Sequence, residues 1–423
     1  MAGGRKTYQK RRPTRRPVKR VETASKKRVH HSVRTDINNR KKRTDNKKFN
    51  FITKIGTVDF TFVFIVFVLL TFGLAILLSA STPAANSKMN GKSYYFFIRQ
   101  LCGIGVGAVM MMFFTMVDYH AYKKFVPICF WVGVILLAVC RIPQIGAERN
   151  GAWRWLKTPF IQLQPSEFMK PLMAMYIAKL VTEGRNRFEK IDGLVPYLII
   201  MGVIGCIMLF LQSHASGAIV LCSICVIITL VAGAKFRHYF TLLCCAVPLG
   251  YFYLMQDDMR MGRILSMVDP FRDTSGKSYQ IVQSLIAIGT GGLFGKGLGQ
   301  GVQKYGYLPE AYNDFIFAIV CEELGLVGAL IIMALFAALI IRGIKIALEA
   351  PDAYGMLIVV GMMSQIAIQT IFNIAVVCSA IPNTGISLPF FSFGGTAIMV
   401  IVAEIGIILN VSRQSVRIRQ IPQ

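Results

Sequence analysis

The strongest constraint on this chain is a succession of apolar runs, several of them eighteen residues or longer, separated by short polar breaks. A run of that length lets an α-helix cross the roughly 30 Å hydrocarbon core of a bilayer. Ten spans are predicted, at about 58–80, 95–117, 125–142, 166–183, 193–211, 216–234, 238–256, 315–342, 355–378 and 387–410. Lipid offers no partner to backbone N–H and C=O groups, so helices or closed barrels are the only spanning structures. The expected fold class is an all-α polytopic membrane protein with about ten transmembrane helices. Composition agrees, with 54% hydrophobic and 16% charged residues and a mean hydropathy of +0.53.

The formal charge of +26 is concentrated in residues 1–54, whose acidic residues are Glu22, Asp36 and Asp45. This segment reads as a disordered basic cytoplasmic tail, too long and polar for the start of a cleaved signal. It suits a topogenic anchor, a contact with anionic headgroups or a contact with an acidic partner. Without a fold or interleaved aromatics it gives no reason to expect a nucleic-acid partner. The expected division is the tail, a membrane domain over 55–412 and a short basic cytoplasmic tail over 413–423. Lys123, Lys124, Arg185, Arg187, Lys190, Lys235, Arg237, Arg342 and Lys345 all fall in loops on the side of the basic tail. That bias places both termini in the cytoplasm and two long loops outside, 143–165 and 257–314, the latter between spans seven and eight. The ten cysteines lie in or beside apolar runs, which argues against a secreted disulfide framework. Cys222 and Cys225 have CxxC spacing but no second ligand pair nearby, and small-residue packing accounts for them.

The stretch Tyr307–Gly325, YLPEAYNDFIFAIVCEELG, carries the densest chemistry. Pro309 disfavours helix at Leu308, and Asn313 or Asp314 is placed to cap the helix beginning at Phe315. An ionised carboxylate at bilayer depth costs about 2.5–3.5 kcal/mol on insertion scales, so Asp314 is either an interfacial cap or part of a site. In the 143–165 loop, an extended strip would point Arg154 away from Trp153 and Trp155. The strip reads as an aromatic belt with a snorkelling arginine, or as a cation held at phosphate level. Ser166 is a possible cap for the fourth span, and Glu167 and Lys170, three apart, share a face and can pair inside a bundle. His214, in LQSHASGA, reads first as an interfacial histidine. SYQIVQSLIAIGTGGLFGKG has the spacing of an amphipathic helix lying along the membrane. It runs into GTGGLFGKGLGQG, a glycine-rich segment whose N–H groups could meet a phosphate but which lacks the Walker ending. Pro382, Gly385, Pro389 and Gly394-Gly395 interrupt helix at membrane depth, which requires a protein-lined or water-filled cavity.

Taken together, GAWRWL with QPSEFMK, YQIVQSLIAIGTGGLFGKGLGQG, YLPEAYNDFIFAIVCEELG and IPNTGISLPFFSFGG resemble the SEDS family of FtsW, RodA and SpoVE, over roughly 55–415. The ending after VQKYGYL is nearer the FtsW and SpoVE branch. The chain departs from a Pro-Asp-x-Gly-Thr pattern common in the family, having Ser213-His214-Ala215-Ser216-Gly217, so no role of that aspartate passes to His214. The resemblance implies a peptidoglycan glycosyltransferase of the bacterial cytoplasmic membrane that polymerises lipid II by inverting transfer on its outer face. It implies Asp314 as catalytic residue, and Arg154, Glu167 and Lys170, with Gln280 and Glu310 in the loop motifs, as substrate-binding residues. A carboxylate can take the proton of the attacking hydroxyl, and cations or a metal can meet the charge growing on the pyrophosphate. A divalent cation, Mg2+ or Mn2+, held by Asp314 is an alternative role for the same carboxylate. A class B penicillin-binding transpeptidase and other division or elongation proteins are the implied partners. A lipid II flippase and a scaffold for wall-synthesis proteins are the rival readings.

Overall fold

The structure is a computed structural model, and it describes residues 57–149, 152–157, 163–184, 188, 191–241, 244, 258–274, 276 and 278–419. The expected basic tail over 1–54 and most of the seventh predicted span lie outside the described residues. The chain runs α1 (Phe60–Lys88), α2 (Tyr95–Met116), α3 (Val126–Val139), a hairpin of β1 (Gly146–Arg149) and β2 (Ala152–Leu156), then α4 (Pro165–Glu183). It continues through α5 (Val195–Cys206), α6 (Ala215–Val231), α7 (Asp258–Val268), α8 (Tyr279–Gly291), α9 (Ile316–Leu348), α10 (Ala353–Val377) and α11 (Gly395–Arg419). Among the described residues, five of these helices (α1, α2, α9, α10 and α11 as far as Ser415) are long and apolar enough to cross a membrane. Val126–Val139, Val195–Leu211 and Ala215–Val231 form shorter apolar helices. The molecule is a helical, multi-pass membrane protein.

Local chemistry sets the helix ends. Asp59 caps α1 by accepting from the Phe62 N–H at 3.0 Å, and its other oxygen holds the Arg342 guanidinium of α9 at 2.8 Å. Pro165 takes the first position of α4, where its missing N–H costs nothing, so Gln164 and not Ser166 stands at the cap, with no side-chain cap bond. Phe315 stands at the cap of α9, likewise without a side-chain bond, so the expected Asn313 or Asp314 cap is corrected. The final span starts at Gly395 and not near 387, because residues 378–394 stay non-helical. α10 is the hub: buried residues occur on every side of it, from Ala353 to Val377. The structure adds a break sequence did not forecast, at Gly325 (φ 67°, ψ −168°), which divides α9 into a short upper piece and a long lower one.

The hairpin and the segment before α9 lie at one end, here called upper. The lower end is tied by a polar cluster. His120, in the one-turn helix Tyr119–Tyr122, has Nδ1 2.8 Å from Asp118 and Nε2 3.3 Å from Asp352, which caps α10. The Tyr119 hydroxyl donates to Asp352, and Gln414 of α11 donates to Asp118 at 3.1 Å. Burial pulls the His120 imidazole down, but its hydrogen bonds and charge attraction to Asp118 and Asp352 outweigh that and leave it up at about 9. This end is therefore closed by a charged histidine between two carboxylates.

Candidate active site at the upper end

Two non-helical segments meet beneath the upper surface, and each satisfies the other's backbone. Phe393 N–H donates to Tyr312 O at 2.9 Å, Ser392 Oγ donates to Asn313 O at 2.7 Å, and Asn373 Nδ2 of α10 donates to both Asp314 O and Ile386 O at 2.7 Å. Gln100 of α2 closes the seam, donating to Ser392 O and accepting from Gly394 N–H, each at 3.1 Å. Such cross-bonding is what lets irregular backbone persist at membrane depth. Asp314 is half-buried in this seam. Its Oδ2 lies against the turn at Gly385 (φ 68°), 3.4 Å from where a Cβ on that glycine would stand. One carboxylate oxygen thus lies against the Gly385 turn.

Gln280 and Glu310 support the same seam. The Gln280 amide donates to Pro309 O at 3.0 Å and accepts from Asn383 at 2.9 Å, bracing one irregular segment on the other. Glu310 sits at a positive φ of 53°, accepts from Asn313 Nδ2, and has Lys88 at 3.8 Å.

Arg154, Glu167 and Lys170 form a second group. The strip carrying Arg154 is extended, as expected, and pairs with β1 in an antiparallel ladder that has one irregularity between Ala147 and Glu148. Arg141 lies over the Trp153 ring at 5.5 Å, while Arg154 Nη2 donates to Ser213 O at 2.7 Å. Ser213 is held at φ 52°, in the break between the π-helical turn Ile207–Leu211 and α6. Beneath it, Lys170 Nζ lies 2.7 Å from both Glu167 oxygens, and both side chains are buried. The predicted pairing holds. His214 is 7% exposed and within electrostatic reach of Arg154 and Lys170. Burial, then those two charges, drive its imidazole well below the usual range, so it joins this group as a neutral ring.

A buried polar stripe joins the two groups. Gln365, Gln369 and Asn373 recur at every fourth residue on α10, one face of the helix over about 12 Å. Gln365 Nε2 donates to Glu404 of α11 at 3.3 Å, and Glu404 lies within reach of the Lys170 and Glu167 charges. Among the described residues, Gln365 Oε1, Gln369 Oε1, Asn373 Oδ1 and Glu404 Oε2 are buried without a hydrogen-bond partner. Buried polar atoms are rarely left so, and a run of them along one face marks where a ligand or water completes the bonding. The sequence signal was the glutamine–asparagine spacing inside one apolar run and an acid inside the next, which averaging over each span conceals. Glu404 also borders an apolar groove of about 320 Å³ between α2, α3, α4 and α11.

The glycine-rich segment has a different role from phosphate binding. Its N–H groups are spent on two adjacent carboxylates of α9. Val302 and Gln303 N–H donate to Glu322, at 2.9 and 3.2 Å, and Gly299 N–H donates to Glu323 at 3.0 Å. Lys296 pairs with Glu322 and Lys304 with Glu323, each at 2.7 Å, and Ser79 of α1 donates to Glu323 at 2.6 Å. Gly295 and Gly325, both at positive φ, pack backbone to backbone where any Cβ would clash. The preceding α8 buries Ile281, Val282, Ser284 and Ala287 against the bundle and leaves Ile286 exposed, so its two faces differ as the spacing predicts.

The fold and site define a class: a multi-pass helical membrane protein with a buried carboxylate–lysine pair and a stripe of unmet polar atoms beneath one surface. Residues 60–417 match the model of the FtsW/RodA/SpoVE cell cycle proteins, and the chain belongs to that family. It is 40% identical to stage V sporulation protein E of Bacillus subtilis, over 86% of this chain and 99% of that protein. It is 34% identical to the probable peptidoglycan glycosyltransferase FtsW of Geobacter metallireducens, over 87% of this chain and 97% of that one. The Rod shape determining protein RodA of Thermus thermophilus superposes with a TM-score of 0.62 at 25% identity, covering 85% of this chain and 97% of RodA. The same fold, at a TM-score of 0.70, 24% identity and coverage of 85% and 98%, occurs in the structure described as "Structural coordination of polymerization and crosslinking by a peptidoglycan synthase complex".

Proposed function

We propose that this chain is a peptidoglycan glycosyltransferase that polymerises lipid II on the outer face of the bacterial cytoplasmic membrane. One observation supports the reading: a buried stripe of unmet acceptors on α10 runs from Asn373, which bonds the Asp314 backbone, to Gln365, whose partner Glu404 lies within charge reach of Lys170. Asp314 takes the proton of the attacking sugar hydroxyl, a role that requires a carboxylate within hydrogen-bond reach of the acceptor. Arg154 offers a fork, and Lys170 a point charge, to the departing pyrophosphate. Gln369 and Asn373 supply acceptors for sugar hydroxyls and amide N–H groups, and the apolar groove takes polyprenyl chain. Ten spans with both termini in the cytoplasm fit the cations near the lower end, among them Lys123, Lys124, Lys235, Arg342 and Lys345. The upper end, with the long loop before the eighth span, then faces outward.

Among the described residues, no three His, Cys, Asp or Glu side chains come together to cage an ion. A single carboxylate such as Asp314 fits a hydrated Mg2+ or Mn2+ shared with substrate phosphates, the usual manner in which Mg2+ is held. Such an ion would offset charge on the pyrophosphate. A class B penicillin-binding transpeptidase is the proposed partner, cross-linking the emerging strand, and a pull-down from solubilised membranes that lacks one would count against it.

The test is detergent-purified protein given lipid II, with and without chelator. Glycan strands are expected from the wild type and none from Asp314→Ala. A full yield of polymer from that variant overturns the assignment. Movement of lipid II across liposomes without polymer would favour a transporter.

A further inference from the structure

The Glu404 carboxylate is the one charged-type side chain of α11 buried at mid-helix, and it is 1% exposed. Three observations bear on its state. Its partner is a neutral amide: Gln365 Nε2 donates to Oε1 at 3.3 Å, and no ion pair reaches it among the described residues. Lys170, the nearest cation acting on it, is committed to both oxygens of Glu167 at 2.7 Å. The other side of Glu404 borders an apolar groove walled by Met110, Phe114, Phe168 and Val400. An ionised carboxylate facing hydrocarbon with one weak neutral donor is expensive.

The leftover atoms supply the resolution. Glu404 Oε2 and Gln365 Oε1 are both buried without a partner, on the two side chains that already share one hydrogen bond. Two acceptors cannot bond each other. A proton on Oε2 turns it into a donor, and a carboxylic acid with a primary amide then forms a two-bond pair: amide N–H to acid C=O, acid O–H to amide C=O. One proton satisfies both atoms.

We propose that Glu404 holds this proton and acts as a positioning residue for Lys170. With Glu404 neutral, Lys170 has Glu167 as its one carboxylate partner; an ionised Glu404 would set a second negative charge within its reach and weaken its pull on a pyrophosphate. The proposal rests on the lipid II reading for its consequence but not for the proton itself.

The experiment is infrared difference spectroscopy of the full chain in nanodiscs, wild type against Glu404→Gln, near neutral pH. A protonated-carboxyl C=O band present in the wild type and lost in the variant is expected, and Gln365→Leu should shift that band upward as the acid loses its amide. Its absence from the wild type overturns the proposal whether or not the chain makes glycan. On the lipid II assay, Glu404→Ala, which keeps the charge at zero but leaves both Gln365 amide atoms without a partner, should raise KM about tenfold with little change in kcat, and Glu404→Gln should restore it. A glutamine that fails to restore KM, in folded protein, means the negative charge itself is required and the proposal is wrong.

Discussion

Two groups of lysine and glutamate lie in the upper half of this molecule, and they are bonded in opposite ways. Around Glu322 and Glu323 every carboxylate oxygen is met, by Lys296, Lys304, Ser79 and the glycine-rich backbone. Around Glu167 and Lys170 the ion pair is as short, but the neighbouring stripe keeps acceptors in reserve on Gln369 and Asn373. The first group has nothing left to offer a substrate and fixes a loop to a kinked helix. The second has bonding left over. Residue type does not separate structure from chemistry here; the degree of satisfaction does.

The sharpest way to break this comparison is to remove the lysine from each pair and then the glutamate as well. Breaking a buried pair from one side leaves an uncompensated charge and costs about 3–5 kcal/mol, whereas replacing both partners by apolar residues is often close to neutral. Lys304→Met and Lys170→Met should each lower the thermal midpoint in detergent by that order. Adding Glu323→Leu to the first, or Glu167→Leu to the second, should return much of the stability. Polymerisation of lipid II should return with the Lys304/Glu323 pair and stay absent with the Lys170/Glu167 pair. Equal activity in the two doubly substituted proteins would show that the distinction is false.

Much of this was legible in the chain, and the remainder failed for identifiable reasons. Apolar runs announced the helices and the three-residue spacing announced Glu167–Lys170, while an extended strip around Arg154 was only a condition, which the hairpin meets. The role of the glycine-rich segment stayed open because its partners, Glu322 and Glu323, lie about twenty residues onward and looked like part of a span. A nest of N–H groups suits a carboxylate as well as a phosphate, and sequence does not say which arrives. The His120 cluster was invisible because Asp352 joins it from 233 residues past the neighbouring Tyr119. The Ser166 cap was missed because Pro165 at the first helical position moved the cap back to Gln164.

The lower end extends the comparison to a third, satisfied cluster, and there pH is the probe. His120 is raised from 6.5 to about 9, so its folded form binds the proton more tightly than the unfolded chain. Its contribution is therefore complete below about 6.5 and is lost as pH rises through about 9. The gap amounts to at most about 3 kcal/mol, less whatever solvent screening removes. Thermal midpoints should fall between those two pH values in the wild type and fall less in His120→Gln. The polymer made per folded molecule should be the same in both proteins at neutral pH. A variant that keeps the full alkaline loss would mean another group carries it.

The smallest effect separates the two kinds of group most finely. Gln369 is 4% exposed, and its Oε1 has no partner among the described residues. An amide kept in that condition costs stability unless something else uses it, about 1 kcal/mol or more for the unmet acceptor. Gln369→Leu fills similar volume without the polar atom and should stabilise the detergent-solubilised protein by about 1 kcal/mol. If the amide serves the substrate, the same change should raise KM for lipid II between about threefold and tenfold, the worth of one neutral hydrogen bond, with kcat nearly unchanged. Stability gained with KM unmoved would make Gln369 a mere packing defect. Stability lost would mean that an ordered water already completes its bonding. Only the opposed pair of results, a firmer protein that holds its substrate less well, fits a pocket whose incompleteness is what it uses to bind.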